Sequence, residues 1–580
     1  MHTAPKVNPP NPVEHLEQIL HSVLQGLSPS IAAPSLQPAK DRKFGDIALP
    51  CFPLAKVLQE APPAISARIA DEFTPDHVIE AAVATGPFVN FKFRRDALAK
   101  YIVHGVLENR APFGPSAPNG KSIVIDFSSP NIAKPFHMGH LRSTVIGGAL
   151  RRIHIHLGSE VHGINHLGDW GSQFGKIMTA FRRWGSDEKL ASAPMQHLFE
   201  IYVRYGQEKN DELEAESAEN FRRLESGEDN AERQLWQRLR DVSLTAFQGP
   251  YERLGVEFDH VTGESFYEDK MEAAITRVTD AGILTESEGA QVVEFTNNKK
   301  MPPCILRKSD GTTIYATRDL AAIFYRVAEY KFDRALYVVG GEQKLHFEQL
   351  KAVLRKMGMP EAESVEHVPF GLILSKDEGT GKWGKFSTRG GNAIFLDEVL
   401  DEAVAIVREI IAEKNPDLEN PEDIAEKVGV SAIIFNDLKN SRIKDVKFDW
   451  EQLLSFEGET GPYVQYAVAR LSGILRKAEA KDDIELEDLD FGLLTDADQV
   501  LLTMLDFGPT VQRAAAQNEP SVITNQMIQL AGDIHSYLRD HHVIRADAEL
   551  KRARLALVAA ARKLLKTGLE LLGVSAPDRM

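Results

Sequence analysis

Cysteine is almost absent. Cys51 and Cys304 are the only two among 580 residues. Two distant cysteines build neither a disulfide framework nor a thiolate zinc site, and a reducing compartment is expected. Long hydrophobic runs are missing too: no uninterrupted apolar stretch reaches the roughly 20 residues that cross a bilayer. The N-terminal stretch also lacks the apolar core of a secretion signal. A cytoplasmic chain without membrane contact is expected. Positive charge is in deficit, with 67 Lys and Arg against 84 Asp and Glu, a formal net charge of −17. This argues against non-specific nucleic-acid binding, so any nucleic acid must meet a local basic or aromatic face. Neither internal repeats nor low-complexity tracts are found.

What is present is ordinary globular material, 43% hydrophobic and 26% charged, long enough for several domains. Leu16, Ile19, Leu20, Val23, Leu24 and Leu27 recur at helical spacing. Strands are expected over 77–84 and 88–93, joined by Thr85-Gly86-Pro87, with a helix over 95–109. Residues 1–110 therefore form a small α+β domain, and the Pro- and Gly-rich segment 111–120 is a linker. From Ser122 short apolar strands alternate with helices, the texture of a parallel α/β sheet. Strands are expected at 123–125, 158–164 and 335–340. The polar, glycine-rich segment 165–176 follows the second strand. Residues 198–300, charge-rich and mostly helical around Leu235, Trp236, Leu239, Val242 and Leu244, read as an insertion. They divide the α/β region into halves at 121–197 and 301–400, and almost everything beyond Leu396 reads as helix.

One stretch concentrates the chemistry. Residues 126–150 run from a strand end through a polar turn into a helix start, with His137 and His140 flanking Gly139. The first N–H groups of a helix are unpaired, so this is an anion site. Imidazole N–H groups there can donate to charge that grows on a phosphoryl group. The plainer reading is two surface histidines at a helix start. His154, His156, His162 and His166 follow, but on separate elements and without H-E-x-x-H spacing, so no dedicated metal site is expected.

Residues 129–140, Ser-Pro-Asn-Ile-Ala-Lys-Pro-Phe-His-Met-Gly-His, resemble the first signature of class I aminoacyl-tRNA synthetases, in the form peculiar to the arginyl-tRNA synthetase family. The resemblance implies an α/β Rossmann-type catalytic core with an insertion, an N-terminal α+β domain and an all-α C-terminal domain. It also implies ATP as substrate, accompanied by Mg²⁺. Lys134, His137 and His140 would act on the phosphates, with Gly139 in the ATP site. The second class I signature is matched in part by Lys385-Phe386-Ser387-Thr388-Arg389. Lys385 and Ser387 fit, and Thr388 stands where a lysine is usual. In the family a lysine just upstream of the histidines takes over that role, which is the place of Lys134. Arg389 is a further candidate for the ATP site.

Arginine carries a planar, permanently charged guanidinium that carboxylates receive best. Residues 311–319 resemble the family's amino-acid segment. By that resemblance Asp319 meets the guanidinium beside Tyr315, and Asp126 is a second carboxylate. Ser129, Asn131 and Gln343 complete the arginine site, the last two holding the α-amino and carboxylate groups. Residues 165–176 wall the pocket, and no chemical step falls to His166, Asp169, Trp170 or Gln173.

Residues 461–470 resemble the start of the family's anticodon-binding domain, placed at 459–580 after a stem-contacting helical region at 401–458. Tyr463, Tyr466 and Arg470 share an i, i+3, i+7 face suited to an unstacked loop, although tyrosines packing a bundle would share it equally. Residues 551–566 hold Lys551, Arg552, Arg554, Arg562, Lys563 and Lys566 and no acidic residue, a candidate basic face. The terminal Met580 closes against this domain and is expected at tRNA. Residues 1–110 resemble the domain that touches the D-loop corner. The expected partners are tRNA(Arg), L-arginine and ATP, the expected state is a monomer, and activation is expected to need bound tRNA. Two other readings stay open: a small-molecule nucleotidyltransferase sharing the H-x-G-H motif, and a catalytically silent RNA-binding paralogue.

Overall fold

The computed structural model describes residues 8–31, 33–226, 229–295, 301–376, 381–385, 395–480 and 484–580. Its organising layer is a parallel sheet of β1 (Ser122–Asp126), β2 (Glu160–Asn165), β3 (His260–Val261), β4 (Arg334–Tyr337) and β5 (Val365–His367), in the order β5-β4-β1-β2-β3. Side chains alternate across a strand, so each strand feeds two cores. Ile123 and Ile125 of β1 join one apolar cluster, Val124 the other; Leu336 and Ala335 of β4 divide in the same way. The chain leaves the centre through β1, β2 and β3, then crosses back to lay β4 on the other side of β1. That reversal opens a crevice beyond the carboxyl ends of β1 and β4, where such sheets bind ligands. Asp126 and Tyr337 sit side by side there in register.

Seven helices carry the functional argument: α1 (Met138–His156), α2 (Tyr315–Tyr330), α3 (Lys344–Lys356), α4 (Pro421–Leu438), α5 (Gly461–Lys477), α6 (Ser521–Asp540) and α7 (Ala548–Leu572). Ahead of the sheet stands the expected α+β unit, a four-stranded antiparallel sheet backed by helices that include Pro12–Leu27 and Arg95–Leu107.

The insertion is less separate than its composition implies. Its helices Pro194–Gln207, Asp211–Glu225 and Ala231–Arg253 stack as expected. The edge strand β3 nevertheless lies inside 198–300, and an antiparallel sheet of Leu284–Ser287, Ala290–Val293 and Cys304–Arg307 crosses the boundary at 300. A two-residue strand carries too little periodicity to stand out among charged helices. The region 401–458 also holds a strand, Val446–Phe448, which pairs in parallel with Ile373–Lys376.

Buried ion pairs lock the layers. Arg142 of α1 meets Asp437 of α4 at 2.8 Å, with both side chains almost fully buried. Arg142 also donates to the Lys444 carbonyl at 2.8 Å. Burial raises the Asp437 carboxyl, and Arg142 opposes that rise. Removing one partner of such a pair strands the other charge, whereas an apolar replacement of both is tolerated. Asp437→Ala should therefore destabilise the chain by about 3–5 kcal/mol in denaturant unfolding. The double variant Arg142→Met with Asp437→Leu should recover most of that loss.

Candidate active site and helical-bundle pocket

The loop between β1 and α1 is strained and heavily supported. Ser128, Ser129 and Ala133 have φ of 69°, 51° and 58°. Non-glycine residues in this left-handed region cost on the order of 1 kcal/mol each and persist only where surroundings impose them. The Ser128 N–H donates to Ser143 Oγ at 2.9 Å, and the Ser128 hydroxyl meets Tyr251 at 3.0 Å. The Ala133 N–H donates to Ser243 Oγ at 2.9 Å. Tyr251 and Ser243 belong to the inserted helix Ala231–Arg253, so the insertion holds the loop in shape.

At the start of α1 the two histidines cap the helix. The Gly139 N–H donates to His137 Nδ1 at 3.0 Å, and the His137 N–H donates to His140 Nδ1 at 3.2 Å. Both Nδ1 atoms are acceptors, so each neutral ring carries its proton on Nε2. The rings lie 4.0 Å apart. A Cβ on Gly139 would stand 2.6 Å from the His137 ring, which explains the glycine. Burial, then the Lys134 charge, lowers His137; burial, His137 and Lys134 push His140 down to about 3. The pair is thus a set of neutral Nε2–H donors. Lys134, partly buried and lowered by that burial, lies over the Tyr202 ring at 5.5 Å.

The amino-acid side is built at the sheet reversal. Asp319, one turn into α2, accepts from His346 of α3 at 2.6 Å. Burial would raise this carboxyl, but the His346 hydrogen bond, with His166 and Arg326 nearby, holds it below its ordinary value. Tyr315 opens α2, is 58% exposed, and meets the His346 ring edge-on at 4.9 Å. Gln343 lies three residues before His346, in the short turn ahead of α3. Asn131 pairs with Gly168 as an isolated bridge and accepts from Gln173 at 3.4 Å.

Asp126 has a cation partner of its own. Arg326 of α2, almost fully buried, meets it at 2.8 Å, and Ser129 Oγ donates to it at 3.0 Å. Its charge is therefore compensated internally, and Glu264 is a further buried acid near Asp319. Glu264 follows β3 in a short 3-10 segment and lies 3.5 Å from Arg318. Burial, with Asp319 and Asp169 nearby, raises it to about 7 against the opposing pull of Arg318. No sequence signal singled out Glu264, because it sits in the charge-rich insertion. Asp169 is fully buried and structural: it accepts from the Ser265 N–H at 2.8 Å and hydroxyl at 2.7 Å, and meets Arg240 at 3.2 Å.

Lys385 ends a strand, Trp383–Lys385, paired with Ile373–Lys376. Its side chain, Ser387 and Arg389 lie outside the described residues. The chain re-enters at Phe395, which bridges His137, and the Leu396 N–H donates to the Phe136 carbonyl at 2.9 Å. The described residues on either side of 386–394 are thus each held in a pairing, Phe395 against the first signature.

In the C-terminal bundle Tyr463, Tyr466 and Arg470 of α5 converge on His535 of α6, which the sequence reading missed. The ring centroids lie 5.1 and 5.9 Å away, and Arg470 Nη1 is 3.1 Å from His535 Nδ1. Tyr463, Tyr466, His535 and Met580 line a cavity of about 620 Å³. The Met580 carbonyl is held by Asn415 at 3.2 Å. The candidate basic face on α7 is largely spent internally. Arg554 pairs with Asp496, Lys563 donates to the Leu107 carbonyl at 2.9 Å, and Lys566 meets Asp578 at 2.8 Å. No helix among the described residues is long and apolar enough to cross a membrane.

A parallel sheet whose reversal faces an H-x-G-H helix start defines the catalytic domain of a class I aminoacyl-tRNA synthetase. Residues 102–450 match the family model described as tRNA synthetases class I (R), catalytic domain. Residues 464–580 match the DALR anticodon binding domain, and 14–93 the arginyl tRNA synthetase N terminal domain. The chain is 46% identical to the arginine–tRNA ligase of Exiguobacterium sibiricum over 97% of its length and 99% of that protein's. It is 41% identical to that of Clostridioides difficile, with the same coverage. The structure of Thermus thermophilus arginyl-tRNA synthetase superposes with a TM-score of 0.84 at 28% identity, covering 98% of this chain and 100% of that one. The chain belongs to the arginyl-tRNA synthetase family.

The cap geometry yields a test. Nitrogen-detected NMR of the free protein should show His137 and His140 neutral and protonated on Nε2 at pH 7. His140 should still be neutral at pH 5, since its protonation is displaced from 6.5 to about 3. An imidazolium signal from His140 at pH 6 would contradict the capping arrangement.

Proposed function

We propose a division of labour for the residues of this arginine–tRNA ligase. The enzyme activates L-arginine with ATP and esterifies tRNA(Arg). The arginine guanidinium enters between Asp319 and Glu264, with Tyr315 alongside. His346 fixes the Asp319 carboxylate and Arg326 fixes Asp126, so the latter shapes the pocket through Ser129 without carrying substrate charge. Asn131 and Gln343 hold the α-amino and carboxylate groups. The arginine carboxylate attacks the α-phosphate in line, pyrophosphate departs, and arginyl-adenylate forms. His137 and His140 donate Nε2–H bonds to charge developing on the phosphates, while Lys134 supplies the positive charge. Neutral donors suit this task, since they need no proton transfer and preorganised dipoles act strongly in a dry site. Gly139 leaves room for the nucleotide, and Lys385, Ser387 and Arg389 approach the leaving pyrophosphate. Mg²⁺ accompanies the triphosphate and offsets its charge; no protein ligand is assigned to it. The 2′-hydroxyl of the terminal adenosine then takes the arginyl group and AMP leaves.

The observation that carries this reading is the pairing of two environments at one crevice: carboxylates on the α2 side and neutral imidazole donors at the start of α1. On the RNA side the cavity between α5 and α6 receives an unstacked anticodon-loop base against Tyr463, Tyr466 and Met580, with Arg470 near a phosphate. The N-terminal domain meets the D-loop corner, activation waits for bound tRNA, and the enzyme works as a monomer in the cytoplasm. Membership in the arginyl family leaves the nucleotidyltransferase reading without support. The intact first-signature set favours an active enzyme over a silent paralogue.

Aminoacylation with arginine and its cognate tRNA tests the whole scheme, and failure to charge would overturn it. Within that assay Lys134→Ala should slow arginine-dependent ATP–pyrophosphate exchange at saturating tRNA while leaving tRNA affinity unchanged. Tyr466→Ala should do the reverse, weakening tRNA by about 5- to 150-fold through the loss of one stacking contact of about 1–3 kcal/mol. A second test uses pH. Burial pushes the Glu264 carboxyl up to about 7, so its charge grows in across pH 6 to 8. Arginine KM should therefore fall as pH rises from 6 to 8, and Glu264→Gln should raise KM and flatten that dependence.

A further inference from the structure

Far from the crevice, His15, Asp76 and His77 bring three donor atoms to within 4.8 Å of one another on the N-terminal domain, a group no step of aminoacylation uses. We propose that they form a His₂Asp site for a zinc-class divalent cation, clamping the helix Pro12–Leu27 to the segment that leads into the strand Ile79–Thr85. The argument rests on how the three groups are held. Asp76 uses one carboxylate oxygen as a local cap, accepting from the Val78 N–H at 2.8 Å and the Ile79 N–H at 2.7 Å. Those two bonds fix the carboxylate plane and leave the other oxygen directed at His15 Nε2, 2.5 Å away. A carboxylate oriented by backbone donors is the outer-shell support that metal ligands need. His77 adds nothing to the His15–Asp76 bond. Its ring stands edge-on to His15 with centroids 5.3 Å apart, and it is exposed.

Imidazole with one carboxylate is a donor set that suits zinc and its neighbours in the first transition row. Metal–ligand bonds of about 2.0–2.2 Å set tetrahedral donors about 3.3–3.6 Å apart. The His15–Asp76 contact must therefore open by about 1 Å, and His77 must close by no more than about 1.5 Å. The exposed His77 side chain is free to make that movement. Its exposure also leaves the fourth position open to water. The cation would replace a helix-to-loop hydrogen bond by a three-point tether between segments 61 residues apart in sequence. Because only the folded domain presents the three donors together, binding raises its stability by mass action.

The test is titration of the full-length, chelator-treated chain with Zn²⁺ by calorimetry, and with Co²⁺ by visible absorption. The parent should bind one equivalent saturably, with a visible d–d band and a rise in the N-terminal unfolding temperature on Zn²⁺ addition. His77→Ala, at an exposed position that leaves the Asp76 cap intact, should weaken binding at least 10-fold and abolish the thermal shift. His15→Ala should do the same. His21→Ala, on the same helix but outside the cluster, should bind as the parent does. Circular dichroism of each variant separates loss of the site from loss of the fold. Absence of saturable binding by the parent overturns the proposal, as does affinity that survives in folded His77→Ala and His15→Ala.

Discussion

A single buried cation governs the crevice. Arg326 reaches from α2 beneath the ends of β1 and β4, meets Asp126 at 2.8 Å, approaches His166 at 3.4 Å and lies over the Tyr337 ring at 5.2 Å. An isolated guanidinium at that depth would be prohibitively costly, and so would an isolated Asp126. Together they are tolerable, and the pair fixes the separation of the strands on either side of the sheet reversal. Asp319 feels the same cation and stays ionised. The charge of the pocket is therefore set from below, and the proposed scheme has the substrate guanidinium meet Asp319 and Glu264 above.

The start of α1 follows a different principle. There the two imidazoles are kept neutral, because both histidine Nδ1 atoms serve as helix caps. The strained turn at Ser128, Ser129 and Ala133 makes this geometry available, and the inserted helix supplies the hydroxyls that hold the turn. An insertion that looks like a digression in the sequence is thus a buttress of the catalytic loop.

Much of this was readable before any coordinates. The helix over Leu16–Leu27, the strands around Thr85-Gly86-Pro87, β1 and the signature helix all follow from strong periodicity or turn chemistry. The convergence of Asp319 with Tyr315, and of Tyr463, Tyr466 and Arg470 on one face, follows from helical spacing. Three things were not legible. β3 is two residues long and gives no alternation to detect. Glu264 is one acid among many in a charged segment, distinguished only by burial beside Asp319. The partner of Asp126, Arg326, is 200 residues away, and the spacing of a chain says nothing about which distant cation will fold onto it. The run on α7 misled for a related reason: a row of like charges reads as a surface until its partners, Asp496, Asp578 and the Leu107 carbonyl, arrive from elsewhere.

Arg95 makes a bridge that bypasses the catalytic domain. It holds Asp46, just ahead of the N-terminal strand Ile47–Pro50, at 2.6 Å and Asp498 of the helical third at 2.7 Å, while Lys563 ties α7 to the Leu107 carbonyl. The two terminal domains are therefore struts of one frame, joined directly and not merely strung on the linker at 111–120. A long, bent ligand that touches one end of such a frame finds the other already at a set distance and angle. Its second contact is then intramolecular, at a high effective concentration, and two modest interfaces select by shape as much as by affinity.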